Sequence, residues 1–283
     1  MATVALITEE GAAHQQPYRD AIRDLDLIER AELMDPGGTT FADSVATVGA
    51  KAGGTHTTVD SLLAAGKPDM AIVTMIAAHA PDSIVIVVSN PLDAMVYTAW
   101  KVTGFPTGRI VGQAGCLDMA RFKAFIAEET GFSVEDIGTL LLGGHGDDMV
   151  PLPRFTNISG IPVTEFMSRA RLDELVERAK QGGGEIVELL GTSAYYAPAA
   201  AVTQMVEAIV RDKKRILPCA GYCAGQYGIE GLFVGVPCVL GAGGMERILE
   251  VRLERGEQEL LTSSAAHVRE LVEVVKRQYP ELA

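Results

Sequence analysis

An α/β fold is predicted for this chain, with a doubly wound parallel sheet first and an α+β domain after it. Three features carry the prediction. Thr3 to Ile7 reads as a short apolar strand, a helix follows through about Leu27, and Glu29 to Met34 reads as a second strand ending at Asp35. Strand, crossover helix and strand make the unit from which parallel sheets are built. Ile84-Val85-Ile86-Val87-Val88 is a continuous β-branched run, the pattern of a strand buried on both faces. Beyond residue 114, helical stretches alternate with short apolar pieces broken by Gly, Asn and Pro, which reads as α+β. The division implied is a parallel-sheet unit over 1–113 and an α+β unit over 114–283.

Composition narrows the function. With 283 residues, 48% of them hydrophobic, and no low-complexity tract, the chain can bury a large core. Lys and Arg number 24 against 37 Asp and Glu, a net charge of −13, which argues against nucleic acid or an anionic membrane as partner. An acidic substrate must then be met by individual arginines. No apolar run reaches the ~18–20 residues that span a bilayer, and the chain opens on a strand in place of a charged leader, so a cytoplasmic location is expected. Cys116, Cys219, Cys223 and Cys238 contain no CxxC pair and sit among apolar residues, as reduced buried thiols do. His14, His56, His79 and His267 are scattered, and no metal site is assigned.

The N-terminal unit has the layout of a dinucleotide-binding, Rossmann-like fold, with an acidic residue, Asp35, at the second strand tip, 24 positions after Gly11. A carboxylate there accepts bonds from the adenosine ribose and repels a 2′-phosphate, favouring NAD over NADP; Asp35-Pro36-Gly37 reads nearly as well as a turn opener. The glycine fingerprint is altered: Thr8, Glu10 and Ala13 stand where G-x-G-x-x-G/A would fall. Glycines let backbone N–H groups reach the pyrophosphate, and two glutamates add charge against it, so weakened cofactor binding is expected. Between the apolar runs Met70–Met75 and Ile84–Val88 only Ile76 to Ser83 intervene, too few for a full crossover helix.

The chemistry centres on Gly143-Gly144-His145-Gly146-Asp147-Asp148, which follows the apolar run Ile137 to Leu142, read as one strand. The glycines permit a sharp turn that aims one imidazole outward, and histidine alone exchanges a proton near neutral pH without a shifted pKa. Upstream, Gly115 to Glu129 reads as a helix on which Asp118 and Arg121 lie three residues apart, on one face. A carboxylate there can orient an imidazole, and a guanidinium can grip a substrate carboxylate with two parallel bonds. An ordinary helix-start Asp with a nearby Arg is the plainer alternative.

Four segments in order and spacing, SNPLDAM from Ser89, GQAGCLDMARF from Gly112, GGHGDDMVPLPRF from Gly143 and GTSAYYAPAAA from Gly191, resemble the malate dehydrogenases of the lactate/malate dehydrogenase family over residues 80–283. That resemblance implies His145 as proton donor and acceptor, Asp118 as its orienting partner and Arg121 as the carboxylate clamp. It also implies Asn90 against the substrate oxygen and the nicotinamide, and Ala194 or Ser193 lining the substrate pocket. Cofactor contacts are then expected at Ile7, Gly11, Asp35, Val88 and Asn90, with NAD as cofactor, a dicarboxylate substrate and a homodimer or homotetramer. Residues 1–82 are instead similar to the N-terminal half of the glucose-fructose and inositol dehydrogenases, which makes the chain a mosaic joined near His79 to Ile84. No arginine occurs between Arg30 and Arg109, where the family carries a mobile loop that supplies a second clamp. The expected activity is NAD-dependent interconversion of (S)-malate and oxaloacetate; the rival is a folded, silent member of the family.

The remaining elements complete the second lobe. Pro151 to Phe166 reads as strands or a hairpin, and Leu172 to Leu190 as a helix in which the resemblance places Gly182-Gly183-Gly184 at a bend against the site. Ser193 opens a small-residue helix to Val210. Ile216 to Cys219 and Val234 to Leu240 read as strands around turns at Gly221, Gly225 and Gly228, and Glu257 to Tyr279 as a closing amphipathic helix.

Overall fold

Three parallel strands set the frame in a computed structural model that describes residues 4–7, 76–191 and 196–283. The expected helix to Leu27, the strands at 29–34 and 70–75, the altered glycine turn, Gly11, Asp35, Ser193 and Ala194 lie outside those residues. Strand β1 (Val4–Ile7) pairs with β2 (Ile84–Val87), Val4 beside Ile84, and β2 pairs with β3 (Ile110–Gly112), Val85 beside Ile110. The β2 side chains are all buried, as a β-branched strand between two layers must be. Residues 76–79 are helical and end at a turn over 81–82, so the segment ahead of β2 makes room for four helical residues.

The sheet continues past residue 113. Gly112 of β3 pairs antiparallel with Ala220 of β9 (Arg215–Ala224), which pairs in turn with β10 (Glu230–Gly241). Beyond β10 come β5 (Leu141–Gly143) and β6 (Met149–Pro151), while β11 (Gly244–Ile248) also pairs with β10. A separate small sheet joins β4 (Ile137–Gly138), β7 (Asn157–Ile158) and β8 (Ile161–Pro162). Helices α1 (Leu92–Thr103), α2 (Gly115–Thr130), α3 (Arg169–Leu190), α4 (Tyr196–Val210) and α5 (Arg255–Gln278) cover these layers.

Two apolar cores result, and α2 spans both. Cys116 and Leu117 pack with β2, β3, β9, β10, α4 and α5 residues, whereas Phe122 and Ile126 pack with Ile137, Leu141, Leu172, Leu175 and Val176 of the second. The β5–β6 pair straddles them by alternation: Leu142 and Val150 face the first core, Leu141 and Met149 the second. The residues between these two strands, and the first turns of α2, are therefore fixed from both sides.

Three expectations need correction. The run 137–142 is not one strand: Ile137 pairs with Ile158 in the small sheet and Leu141 with Pro151 in the large one, the chain changing sheets across Gly138 to Leu140. Gly221 is not a turn but lies inside β9, where an added Cβ would sit 2.8 Å from Cys238 Sγ on β10; glycine there allows close strand approach. Gly182-Gly183-Gly184 makes no bend, since α3 runs through it. All four cysteines are buried and free, with Cys116 and Cys219 Sγ 3.7 Å apart, and burial pushes the Cys223 thiol up to about 12.

Gly235 pins the histidine-bearing strand. It pairs with Gly143 on one side and Ala220 on the other, and a Cβ at Gly235 would lie 2.2 Å from the Gly143 carbonyl oxygen. The three atoms nearest that Cβ are all Gly143 backbone, which cannot swing aside as a flexible side chain would. Gly235→Ala is expected to cost about 1–3 kcal/mol of stability through overpacking, read by denaturant unfolding; a midpoint unchanged from the parent would show that β5 can shift freely.

Candidate active site

His145 sits where the chain leaves β5. Gly143 holds φ +88° and Gly146 φ +77°, values that favour glycine, and a one-turn 3-10 helix over Gly146–Asp148 leads into β6. A Cβ on Gly143 would fall 2.6 Å from the Asp148 carbonyl oxygen and 2.8 Å from Ser264 Oγ. The glycines thus serve both the turn and the closeness of its surroundings.

The imidazole meets α2. His145 Nδ1 and Asp118 Oδ2 are 2.9 Å apart, the ring 22% exposed and the carboxylate 1%. One turn on, Arg121 Nη1 lies 3.5 Å from Asp118 Oδ1, an ion pair longer than its hydrogen-bonded neighbour, with the guanidinium side chain 13% exposed. The Nε of Arg121 is buried without a hydrogen-bond partner among the described residues, as is Asp118 Oδ1. A nearly buried guanidinium with unspent donors is suited to a planar anion. Burial by itself lowers the His145 pKa, but the hydrogen bond and charge of Asp118, with the charge of Asp93, more than offset it and hold the imidazole above its ordinary value.

Supports come from three further places. Ser264 Oγ on α5 accepts the Gly144 N–H at 2.8 Å, and Asp93 Oδ2 on α1 accepts the His145 N–H at 3.4 Å. Gly182 of α3 gives Arg121 its room: a Cβ there would lie 3.2 Å from Arg121 Cδ. Ala114, wholly buried at the entry to α2, holds φ +34°, ψ −124°, strain of the kind that persists where surrounding structure over-determines the backbone.

The structure therefore brings together His145, Asp118 and Arg121. Val88 and Asn90 follow the carboxyl end of β2, half-buried and exposed, beside Ser89, whose buried Oγ lacks a hydrogen-bond partner among the described residues. Ligands of parallel α/β sheets bind beyond such strand ends, so this tip suits the nicotinamide half of a dinucleotide. Of Ile7 only the backbone is described, in β1 beside Val87. Sequence reading missed Asp93 and Ser264 as site residues; Asp93 stood in the recognised SNPLDAM segment without a role, and Ser264 gave no signal.

Residues 116–278 match the family model described as lactate/malate dehydrogenase, alpha/beta C-terminal domain, and residues 46–112 match that of the lactate/malate dehydrogenase NAD binding domain. The malate dehydrogenase of Roseiflexus castenholzii is 59% identical over 206 residues, covering 72% of this chain and 67% of that protein. The malate dehydrogenase of Rhodopirellula baltica is 49% identical over 260 residues, covering 88% and 82%. The solved malate dehydrogenase of Salinibacter ruber superimposes with a TM-score of 0.75 at 43% identity, over 99% of this chain and 76% of that one. The match to the Roseiflexus protein thus spans about two thirds of that relative's length.

Proposed function

Because this chain belongs to the lactate/malate dehydrogenase family, we propose that it interconverts (S)-malate and oxaloacetate with NAD, using His145 as acid and base. The observation that carries the reading is the 2.9 Å contact between His145 Nδ1 and Asp118, with Arg121 one helical turn away. A carboxylate on Nδ1 keeps the proton on that nitrogen and leaves the Nε2 lone pair free for the substrate hydroxyl. Arg121 grips one substrate carboxylate through its two terminal nitrogens, orienting the alcohol carbon. His145 then takes the hydroxyl proton, and Asp118 stabilises the imidazolium that forms. NAD, when bound, supplies the acceptor for the hydride leaving that carbon. The family resemblance further gives Asn90, at the β2 tip, the role of hydrogen-bonding the substrate oxygen on the nicotinamide side, and would make Ala194 part of the substrate-pocket lining.

In this reading Asp35 would favour NAD over NADP, and Ile7, Gly11 and Val88 would be further cofactor contacts. The division into a cofactor lobe at 1–113 and a catalytic lobe at 114–283 belongs to the proposal, supported by family models that meet between residues 112 and 116. The likeness of residues 1–82 to the glucose-fructose and inositol dehydrogenases is carried by the sequence alone, and the lactate/malate dehydrogenase NAD binding domain match over residues 46–112 runs across the join read near His79 to Ile84. Assembly as a homodimer or homotetramer is supported by exposed apolar side chains where α3 ends and α4 begins, Leu189 at 75% and Tyr196 at 72% exposure. A cytoplasmic setting is supported by four buried, free cysteines. Among the described residues no helix is long and apolar enough to cross a membrane.

The test is calorimetric titration with NADH followed by oxaloacetate. Micromolar binding, about −8 kcal/mol, with heat of turnover and loss of NADH absorbance is expected. Folded protein that binds no NADH and turns over no oxaloacetate would overturn the reading and leave the silent alternative.

A further inference from the structure

Behind the histidine turn lies a second carboxyl group that the mechanism above does not use. Asp93 is on the first turn of α1, only 5% exposed, and its Oδ2 accepts the His145 backbone N–H while its Oδ1 has no hydrogen-bond partner among the described residues. A buried carboxyl group is costly unless paired, and this one is half paired. Asp93 lies close against the turn: a Cβ built on Gly144 would sit 3.4 Å from Asp93 Oδ2, an ordinary contact, and a tighter 3.2 Å from Asp148 Cβ.

We propose that Asp93 is a positioning residue for His145, holding the histidine's amide from behind while its charge tunes the imidazole that Asp118 holds from the front. The inference rests on the acid–base role proposed for His145. Asp93 acts through His145 and has no described contact with the Asp118–Arg121 pair, so its effect falls on proton transfer, not on the carboxylate clamp.

The ionisable surroundings of Asp93 are few. The turn brings His145, which favours the charged carboxylate, and Asp148, which opposes it. Helix α5 presents Ser264 and Val268 to the turn, with His267 Nδ1 2.7 Å from Asp148 Oδ1 beside them. Helix α2 contributes Asp118 and Arg121, which act on the imidazole with opposite signs. The strands and remaining helices packed on α1 present the apolar residues of the first core. Burial, the largest influence, pushes the Asp93 carboxyl up to about 7, so it titrates in the range where an imidazole does. Two groups that influence each other over the same range release their protons in coupled steps. As pH rises through that range Asp93 becomes charged and holds the proton on His145 longer, which stretches the imidazole titration.

The experiment is an NMR titration of the His145 ring in the native chain and in Asp93→Asn, the signal being assigned by its loss in His145→Asn. Asparagine keeps an oxygen to accept the His145 N–H but removes the charge, so the His145 titration is expected to shift to lower pH and to sharpen to a single step. In turnover, the acid limb of malate oxidation should move down in pH with kcat, while KM for malate stays near the native value. Ser264→Ala, which removes a neutral acceptor from the same turn, should lower kcat without moving the limb. A His145 titration in Asp93→Asn that superimposes on the native curve would overturn the proposal. Should Asp93→Asn not fold, Asp148→Asn serves: removing the charge that opposes Asp93 ionisation should move the Asp93-linked part of the His145 titration to lower pH, and an unmoved curve would again overturn it. A shifted His145 titration in a protein that lacks malate turnover would support this coupling and refute the catalytic reading.

Discussion

Replacing His145 with Asn is expected to lower turnover in both directions by roughly 10²–10⁴-fold, the usual worth of a positioned general acid or base, with the fold and NADH binding retained. Asparagine fills much of the same space and can keep a hydrogen bond to Asp118, which lies 2.9 Å from the native ring. What it lacks is a group that takes a hydroxyl proton near neutral pH. The pH dependence of the native chain follows from the imidazole's raised pKa. Malate oxidation needs the neutral ring, so its rate should fall as pH drops through that raised value; oxaloacetate reduction needs the imidazolium and should fall as pH climbs through it. Both limbs should vanish in His145→Asn. Retention of turnover within tenfold of native, with either limb intact, would assign the proton transfer to another group.

Arg121→Gln is expected to reduce kcat/KM for oxaloacetate by about 10²–10³-fold, about 3–4 kcal/mol of transition-state binding, within the range seen when one partner of a buried, hydrogen-bonded charge pair is removed. The guanidinium is only 13% exposed and lies 3.5 Å from an Asp118 carboxylate that is 1% exposed, so solvent compensates little. Glutamine offers one donor group where the guanidinium offers a planar fork. A second effect has a definite sign. Arg121 lowers the His145 pKa through its charge, so removing it should raise that pKa further and move the acid limb of malate oxidation to higher pH. Arg121→Lys, which keeps a charge without the fork, should restore the limb more fully than it restores kcat/KM. A limb that stays fixed in Arg121→Gln, together with native KM, would remove Arg121 from the site.

Parts of this site were legible because their determinants are local. Two residues three apart on a helix share a face, so Asp118 and Arg121 could be placed together from spacing alone. The glycines around His145 announced a turn, and they do take positive φ at 143 and 146. The β-branched run before Ser89 announced a buried strand, and Ile84 to Val87 form one. Elsewhere the same signals misled because a partner distant in sequence decided the outcome. Ile137 to Leu142 has the length of one strand, yet Ile158 and Pro151 draw its two ends into different sheets. The family resemblance placed a bend at Gly182-Gly183-Gly184, whereas the α3 helix continues through them and Gly182 gives the Arg121 side chain its space.

The amino-acid sequence by itself determined the α/β class, since side-chain type, hydrophobic period and short spacing are properties of neighbouring residues; four motifs in order carried the family resemblance, and with it the proposed roles of His145, Asp118 and Arg121. Tertiary structure alone decided how that set is held. Asp93 and Ser264 reach the histidine turn from 52 and 120 residues away, through the packing of α5 on the β5–β6 pair and of α1 on α5 and β10. Gly235 fits against Gly143 because β10 lies beside β5, a neighbour relation no local pattern encodes. Contacts of that range form only when a closed core repays the entropy of bringing the segments together, and their identity follows from the order of strands in the sheet.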